Sequence, residues 1–191
     1  MTVRPDAFSG QLYIVSDSAT TWALTSSLTW TGTKGDTFTV PVDFVTDFAT
    51  VPRVLVWKTL PYGPYTRAAV LHDWLLTQLA GWDRALRADP DKPPLYDLPA
   101  NSRDCDGIFR RVMEDLGVSW LTRWQMWAAV RLAACFNRRR AYGRQFGKDA
   151  AKVLGMLLLS VPFVLPGLIG VCISLALSWP FTKLRRRGPA R

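Results

Sequence analysis

One histidine serves the whole chain of 191 residues, and three cysteines never approach a CxxC spacing. Each shortage excludes something. A single imidazole with Cys105, Cys135 and Cys172 scattered apart cannot supply a four-ligand zinc centre. Three widely spaced cysteines are no disulfide framework either, and a reducing compartment suits them. Walker and dinucleotide glycine patterns are missing, and no serine stands in a nucleophile elbow. The opening residues 1–6 contain no apolar h-region, so a cleavable signal peptide is not expected. Acid is scarce toward the C-terminal side, where Asp149 alone opposes the Lys and Arg residues between Arg138 and Arg191. The net charge of +9 therefore gathers there. Residues 1–137 are close to neutral and lack a nucleic-acid footprint, so no specific nucleic acid is expected as partner.

What is present reads as an α+β domain: a small antiparallel sheet packed on about three helices. Gln11–Val15 and Thr21–Trp30 are rich in Thr, Trp, Tyr, Val and Ile, and turn residues separate them. Thr37–Phe44 alternates, with Pro41 limiting it to an edge or a strand end. Thr66 is a plausible N-cap for a first helix over 66–80. The proline-rich stretch 81–101 predicts a surface loop, a candidate lid. Ser102 predicts the cap of a second helix that ends at Gly117, and a third helix is expected over 119–136. Trp120, Trp124, Trp127 and Arg131 recur on one face of that third helix. They read either as core against the sheet or as a membrane-interface belt.

The stretch Val153–Trp179 carries no charge and exceeds the ~20 residues that cross a bilayer. Pro162 and Pro166-Gly167 would kink it or fold it back as a re-entrant hairpin. The expected organisation is a globular domain over 1–137, a basic linker over 138–152, a transmembrane segment over 153–179 and a basic tail over 180–191. Basic residues on both flanks point to anionic lipid headgroups as partners.

The polar centre of the domain is the pair His72-Asp73, set in an otherwise apolar helical run. Burying an imidazole beside a carboxylate costs several kcal/mol unless both find partners. In the second helix Asp106 shares a stripe with Phe109, Met113 and Leu116, while Asp104 points away. His72 lies on the stripe of Ala69, Leu76 and Leu79. Two antiparallel helices would therefore set His72 against Asp106.

The blocks Val40–Arg53, Ala68–Leu75 and Arg103–Phe109, with their Thr-Asp-Phe-Ala and His-Asp signatures, resemble the domain of unknown function 1353 family. The resemblance covers roughly residues 8–136 and implies a bacteriophage or prophage protein without an established activity. A second resemblance is mechanistic. His72-Asp73 followed by Asp106, Phe109 and Met113 is similar in type and order to the secreted phospholipases A2. That likeness implies His72 as general base, Asp106 as the group that fixes its tautomer, and Asp73 as a Ca²⁺ ligand, with Asp47 in place of a missing glycine-rich calcium loop. Two functions follow as expectations. One is a membrane-anchored, metal-dependent hydrolase acting on lipid at the host inner membrane, its globular part in the cytoplasm. The other is a non-catalytic assembly or lysis accessory that meets phage or host envelope proteins. In that second reading His72 is a structural clasp to Asp106 or Asp47, Asp73 pairs with Arg53 or Arg103, and Arg53 is a structural partner rather than an anion site.

Overall fold

The computed structural model describes residues 3–18, 21–47, 63–89, 101–136 and 146–185. Arg53 and most of the anticipated lid lie outside the described residues. A 3-10 turn at Pro5–Ala7 leads into six short strands: β1 (Phe8–Ser9), β2 (Ile14–Ser16), β3 (Trp22–Leu24), β4 (Leu28–Thr31), β5 (Thr37–Val40) and β6 (Val45–Thr46). Four helices follow: α1 (Thr66–Ala88), α2 (Ser102–Asp115), α3 (Trp120–Phe136) and α4 (Phe146–Arg185). The α+β class holds, with antiparallel pairing throughout the described strands.

The strands form two three-stranded sheets rather than one, in the orders β1-β4-β5 and β2-β3-β6. Thr21–Trp30, which reads as one strand, is broken at Thr25-Ser26-Ser27 into β3 and β4, one for each sheet. In the first sheet Trp30 lies opposite Phe8 on one side and Phe38 on the other. The Trp30 and Phe38 rings stack at 6.0 Å. Leu28, Trp30, Phe38 and Val40 all point into the core, as the two-residue period of a one-sided sheet requires. β5 stops at Val40, before Pro41, whose missing N–H cannot extend a ladder.

Trp30 Nε1 donates to Asp115 Oδ2 at 3.0 Å and so ties this sheet to the last turn of α2. The second sheet is tied to α1, where Thr46 Oγ1 donates to Asp73 Oδ2 at 2.7 Å. Inside this frame Ala68, Val70, Leu71 and Leu75 of α1 pack with Cys105, Ile108, Phe109, Val112 and Met113 of α2.

Helix boundaries follow local chemistry with two corrections. α1 begins at Thr66, but its hydroxyl hydrogen-bonds back to Gly63, and Tyr65 occupies the cap position. α1 also continues to Ala88, through Gly81, into the stretch expected as loop. A single helical glycine costs only ~1 kcal/mol and does not end a helix that is otherwise packed. α2 is capped by Asn101 rather than Ser102, the Asn101 side chain accepting from the Asp104 N–H. At its far end Gly117 takes φ +73°, and the Val118 N–H reaches the Met113 carbonyl at 2.9 Å.

α4 begins at Phe146, within the expected linker, and runs as one element through the apolar stretch. It bends by 57° between Asp149–Pro162 and Leu165–Ser174, where Pro162 and Pro166 each remove a helical hydrogen bond. No single helix among the described residues is long and apolar enough to cross a membrane, although the two bent segments pass that test together. Among the described side chains of α4, the buried ones lie near its beginning. Val153 and Met156 are buried with Trp127 and Ala128 of α3, while Leu154, Leu158, Leu165, Ile169 and Leu177 are exposed. Trp127 thus packs on α4 and not on the sheet.

Candidate functional site

α1 and α2 bring together the two side chains that the sequence stripes set face to face. His72 Nε2 lies 2.7 Å from Asp106 Oδ1. The imidazole is 4% exposed and Asp106 2%. Phe109, one turn along α2, tilts its ring against the imidazole with 4.8 Å between centroids. A carboxylate this deep needs every lone pair occupied. The second oxygen is taken by α3, whose Arg131 Nη1 donates to Asp106 Oδ2 at 3.1 Å.

The chain of charges goes on past Asp106. Arg131 Nε lies 3.5 Å from Asp149 Oδ2 on the first turn of α4. Asp149 also accepts from Arg103 Nε at 2.7 Å and from Arg103 Nη2 at 3.2 Å, the two-pronged geometry that guanidinium favours. The result is a relay of alternating sign, His72–Asp106–Arg131–Asp149–Arg103, with one or more members on each of the four helices. Two carboxylates meet two guanidiniums, so the cluster is neutral when the imidazole is neutral. A neutral cluster is the cheapest form to bury.

Arg103 holds Asp149 below the ordinary carboxylate range, by hydrogen bonding first and by charge second. In return the Arg103 pKa is raised by the Asp149 hydrogen bond and charge. The Cys105 thiol, buried next to Asp106, is pushed up to about 12, mainly by desolvation and then by the carboxylate charge. Cys105 therefore stays a thiol at neutral pH. We expect iodoacetamide at pH 8 to label exposed Cys172 in the folded protein and leave Cys105 unmodified until urea is added, as peptide mass spectrometry would read out. Labelling of Cys105 in the native state would contradict this burial.

The remaining expected site residues are distributed differently. Asp73 is half-buried and accepts from Thr46, while Asp47, next along the strand, is exposed. Arg103 pairs with Asp149 instead of Asp73. Among the described residues no group of three or more His, Cys, Asp or Glu is arranged to hold a metal ion. Both oxygens of Asp106 are already engaged by protein donors. Asp73 and Asp47, which the phospholipase likeness assigns to calcium, belong to no such metal-holding group among the described residues. Arg131 and Asp149 are the members that sequence reasoning missed as site residues. The signal for Asp149 was its isolation as the one acid amid a basic stretch, and for Arg131 its place in line with Trp120, Trp124 and Trp127.

A family model described as a protein of unknown function (DUF1353) matches residues 22–130. The match spans β3 to α3 and so holds His72, Asp106 and Arg103, while Arg131 and Asp149 follow it. No curated protein and no solved structure matches the chain.

Proposed function

Since the chain belongs to the DUF1353 family of proteins of unknown function, we propose a function from the geometry: a non-catalytic, membrane-associated module in which the buried relay clamps an apolar helix to an α+β domain. The observation that carries this reading is the relay itself. His72 Nε2 and both oxygens of Asp106 are engaged by one another and by Arg131, and the relay reaches Asp149, just ahead of the exposed apolar part of α4. A clasp needs its groups buried and mutually satisfied, whereas a hydrolytic site needs substrate and water to reach them. The apolar part of α4 associates with lipid as a kinked span or a re-entrant element over 153–179. Its basic flanks face anionic headgroups. In this reading the module sits at the host inner membrane, with the globular part in the cytoplasm and phage or host envelope proteins as partners.

One observation favours a second reading, a lipid hydrolase. Asp106 orients the imidazole through Nε2, and Nδ1 makes no hydrogen bond among the described residues, which is the arrangement of a general base. His72→Gln separates the two. As a clasp it should lower stability by about 1–3 kcal/mol, the scale of a lost hydrogen bond to a charged group. The full chain should release no fatty acid from phosphatidylglycerol vesicles, with calcium or with chelator. Release by wild type that disappears in a folded His72→Gln protein would replace the clasp with the hydrolase.

A further inference from the structure

At one end of the α2–α3 pair the described residues set three arginines, Arg110, Arg111 and Arg123, around two carboxylates, Glu114 and Asp36. Arg123 is 6% exposed, and its Nη2 lies 3.1 Å from Glu114 Oε1. Its Nε and Nη1 are buried and have no hydrogen-bond partner among the described residues. Two orphan donors on one buried guanidinium are costly, at ~1–3 kcal/mol or more for each unsatisfied group. Arg110, one turn before Glu114, stacks over the Trp124 ring at 4.6 Å and forms no ion pair among the described residues. Burial pulls the Arg110 pKa below its ordinary value against the opposing pull of the Glu114 charge, and the Arg123 and Arg111 charges add to the fall. Arg111 has Asp36 at 3.5 Å, which leaves Glu114 to face both Arg110 and Arg123.

The location supplies the ligand. α3 and α4 run antiparallel: Arg131 meets Asp149, and six residues nearer the start of α3 the Gln125 side chain donates to Ser160 at 3.0 Å. Continuing in the direction of Trp120, α4 bends by 57° after Pro162, and Leu165, Leu168 and Ile169 beyond the bend are exposed. Trp120 is 50% exposed, and its ring lies 6.3 Å from Trp124. Exposed indole beside arginine is the composition of the headgroup level of a bilayer, where the ring meets acyl carbonyls and guanidinium meets phosphate.

We propose that Arg110, Arg123 and Trp124, rimmed by Trp120, cradle the phosphate of an anionic phospholipid headgroup on the side toward which α4 bends. The proposal rests on the membrane-associated reading above and adds a specific contact and an orientation: the α2–α3 turn faces the bilayer. Phosphate oxygens would meet half-buried Arg110 first and reach the Arg123 donors, which are closed off from solvent in the unliganded protein, as that guanidinium turns outward. An Arg-phosphate contact can use two parallel N–H donors, which a lysine cannot offer.

The test uses the full chain with vesicles of phosphatidylcholine alone or mixed with phosphatidylglycerol. Arg110→Gln should weaken partition onto the mixed vesicles about five-fold, the effect of one basic residue at an anionic surface, and leave binding to phosphatidylcholine unchanged. Tryptophan emission should be quenched by lipids brominated near the carbonyl, and Trp120→Phe should lose part of that quenching. Wild-type partition by Arg110→Gln, or quenching unaltered in Trp120→Phe, overturns the cradle while leaving membrane association standing. Failure of the wild type to bind either vesicle overturns membrane association itself. Millimolar inorganic phosphate offers the remaining arm. If it raises the melting temperature of wild type but not of Arg110→Gln, and vesicles change nothing, the site is a free-phosphate site and the lipid assignment falls.

Discussion

Asp106→Ala is expected to cost about 3–5 kcal/mol of stability, the penalty for removing one partner of a buried ion pair. Against the ~5–15 kcal/mol that holds a typical domain together, this leaves a protein near its unfolding threshold. The loss strikes two side chains at once. His72 loses its acceptor at 2.7 Å, and Arg131, 2% exposed, loses the carboxylate that accepts from Nη1. Asp106→Asn keeps the volume and one acceptor, so it should cost less than Ala but remain clearly destabilising. A double change, Asp106→Leu with Arg131→Met, should be milder than the two single losses combined, because it removes both charges instead of stranding one. Urea unfolding of these variants, together with Asp106→Leu and Arg131→Met alone, reads this directly. If Asp106→Ala costs under ~1 kcal/mol, the pair is solvated in solution and the clasp has no energetic basis.

Acid should release α4 from the domain. The Arg103 hydrogen bonds hold the Asp149 carboxyl below its ordinary range. A group depressed on folding adds stability that is present above its unfolded pKa, near ~4 for an aspartate. That contribution is lost as pH falls through the lowered, folded-state value. The docking of α4 should thus be constant from pH 8 to about 5 and fall away below about 4. Asp149→Asn should weaken docking at neutral pH and remove this acid limb. Its cost is smaller than that of Asp106→Ala, because Arg103 is 37% exposed and solvent screens its share. Urea midpoints of wild type and Asp149→Asn, measured from pH 8 to 3, should converge at the acid end. A gap that stays constant down to pH 3 would show that Asp149 does not carry the linkage.

The central pair was legible in the sequence because both residues sit on helices, where spacing alone decides which face a side chain takes. The stripe of Asp106 with Phe109 and Met113 needed only the 3.6-residue period. Likewise His72 among Ala69 and Leu79 needed no knowledge of the partner helix. The relay beyond Asp106 was not legible, since the Arg131–Asp149 contact depends on how α4 returns along α3, and no local pattern encodes that return. The sheets were misjudged for a related reason. Strands of two to four residues carry too little alternation to show that Trp22 and Trp30 belong to different sheets. β3 faces Thr46 and β4 faces Phe8 and Phe38, pairings set by distant segments. Gly117, by contrast, was readable from position alone, because a helix terminus with positive φ favours glycine wherever it lies.

The relay also fixes an order of events during synthesis. Its members emerge as His72, then Arg103 and Asp106, then Arg131, with Asp149 last. Until Asp149 has been made, Arg131 holds only part of its countercharge and Arg103 lacks its two-pronged acceptor. At ~5–20 residues per second, the ribosome needs a few seconds or less to pass from Arg131 to Asp149. The apolar segment follows immediately behind. The domain is therefore completed by a residue that directly precedes the apolar part of α4, so the relay closes only as that part is being made.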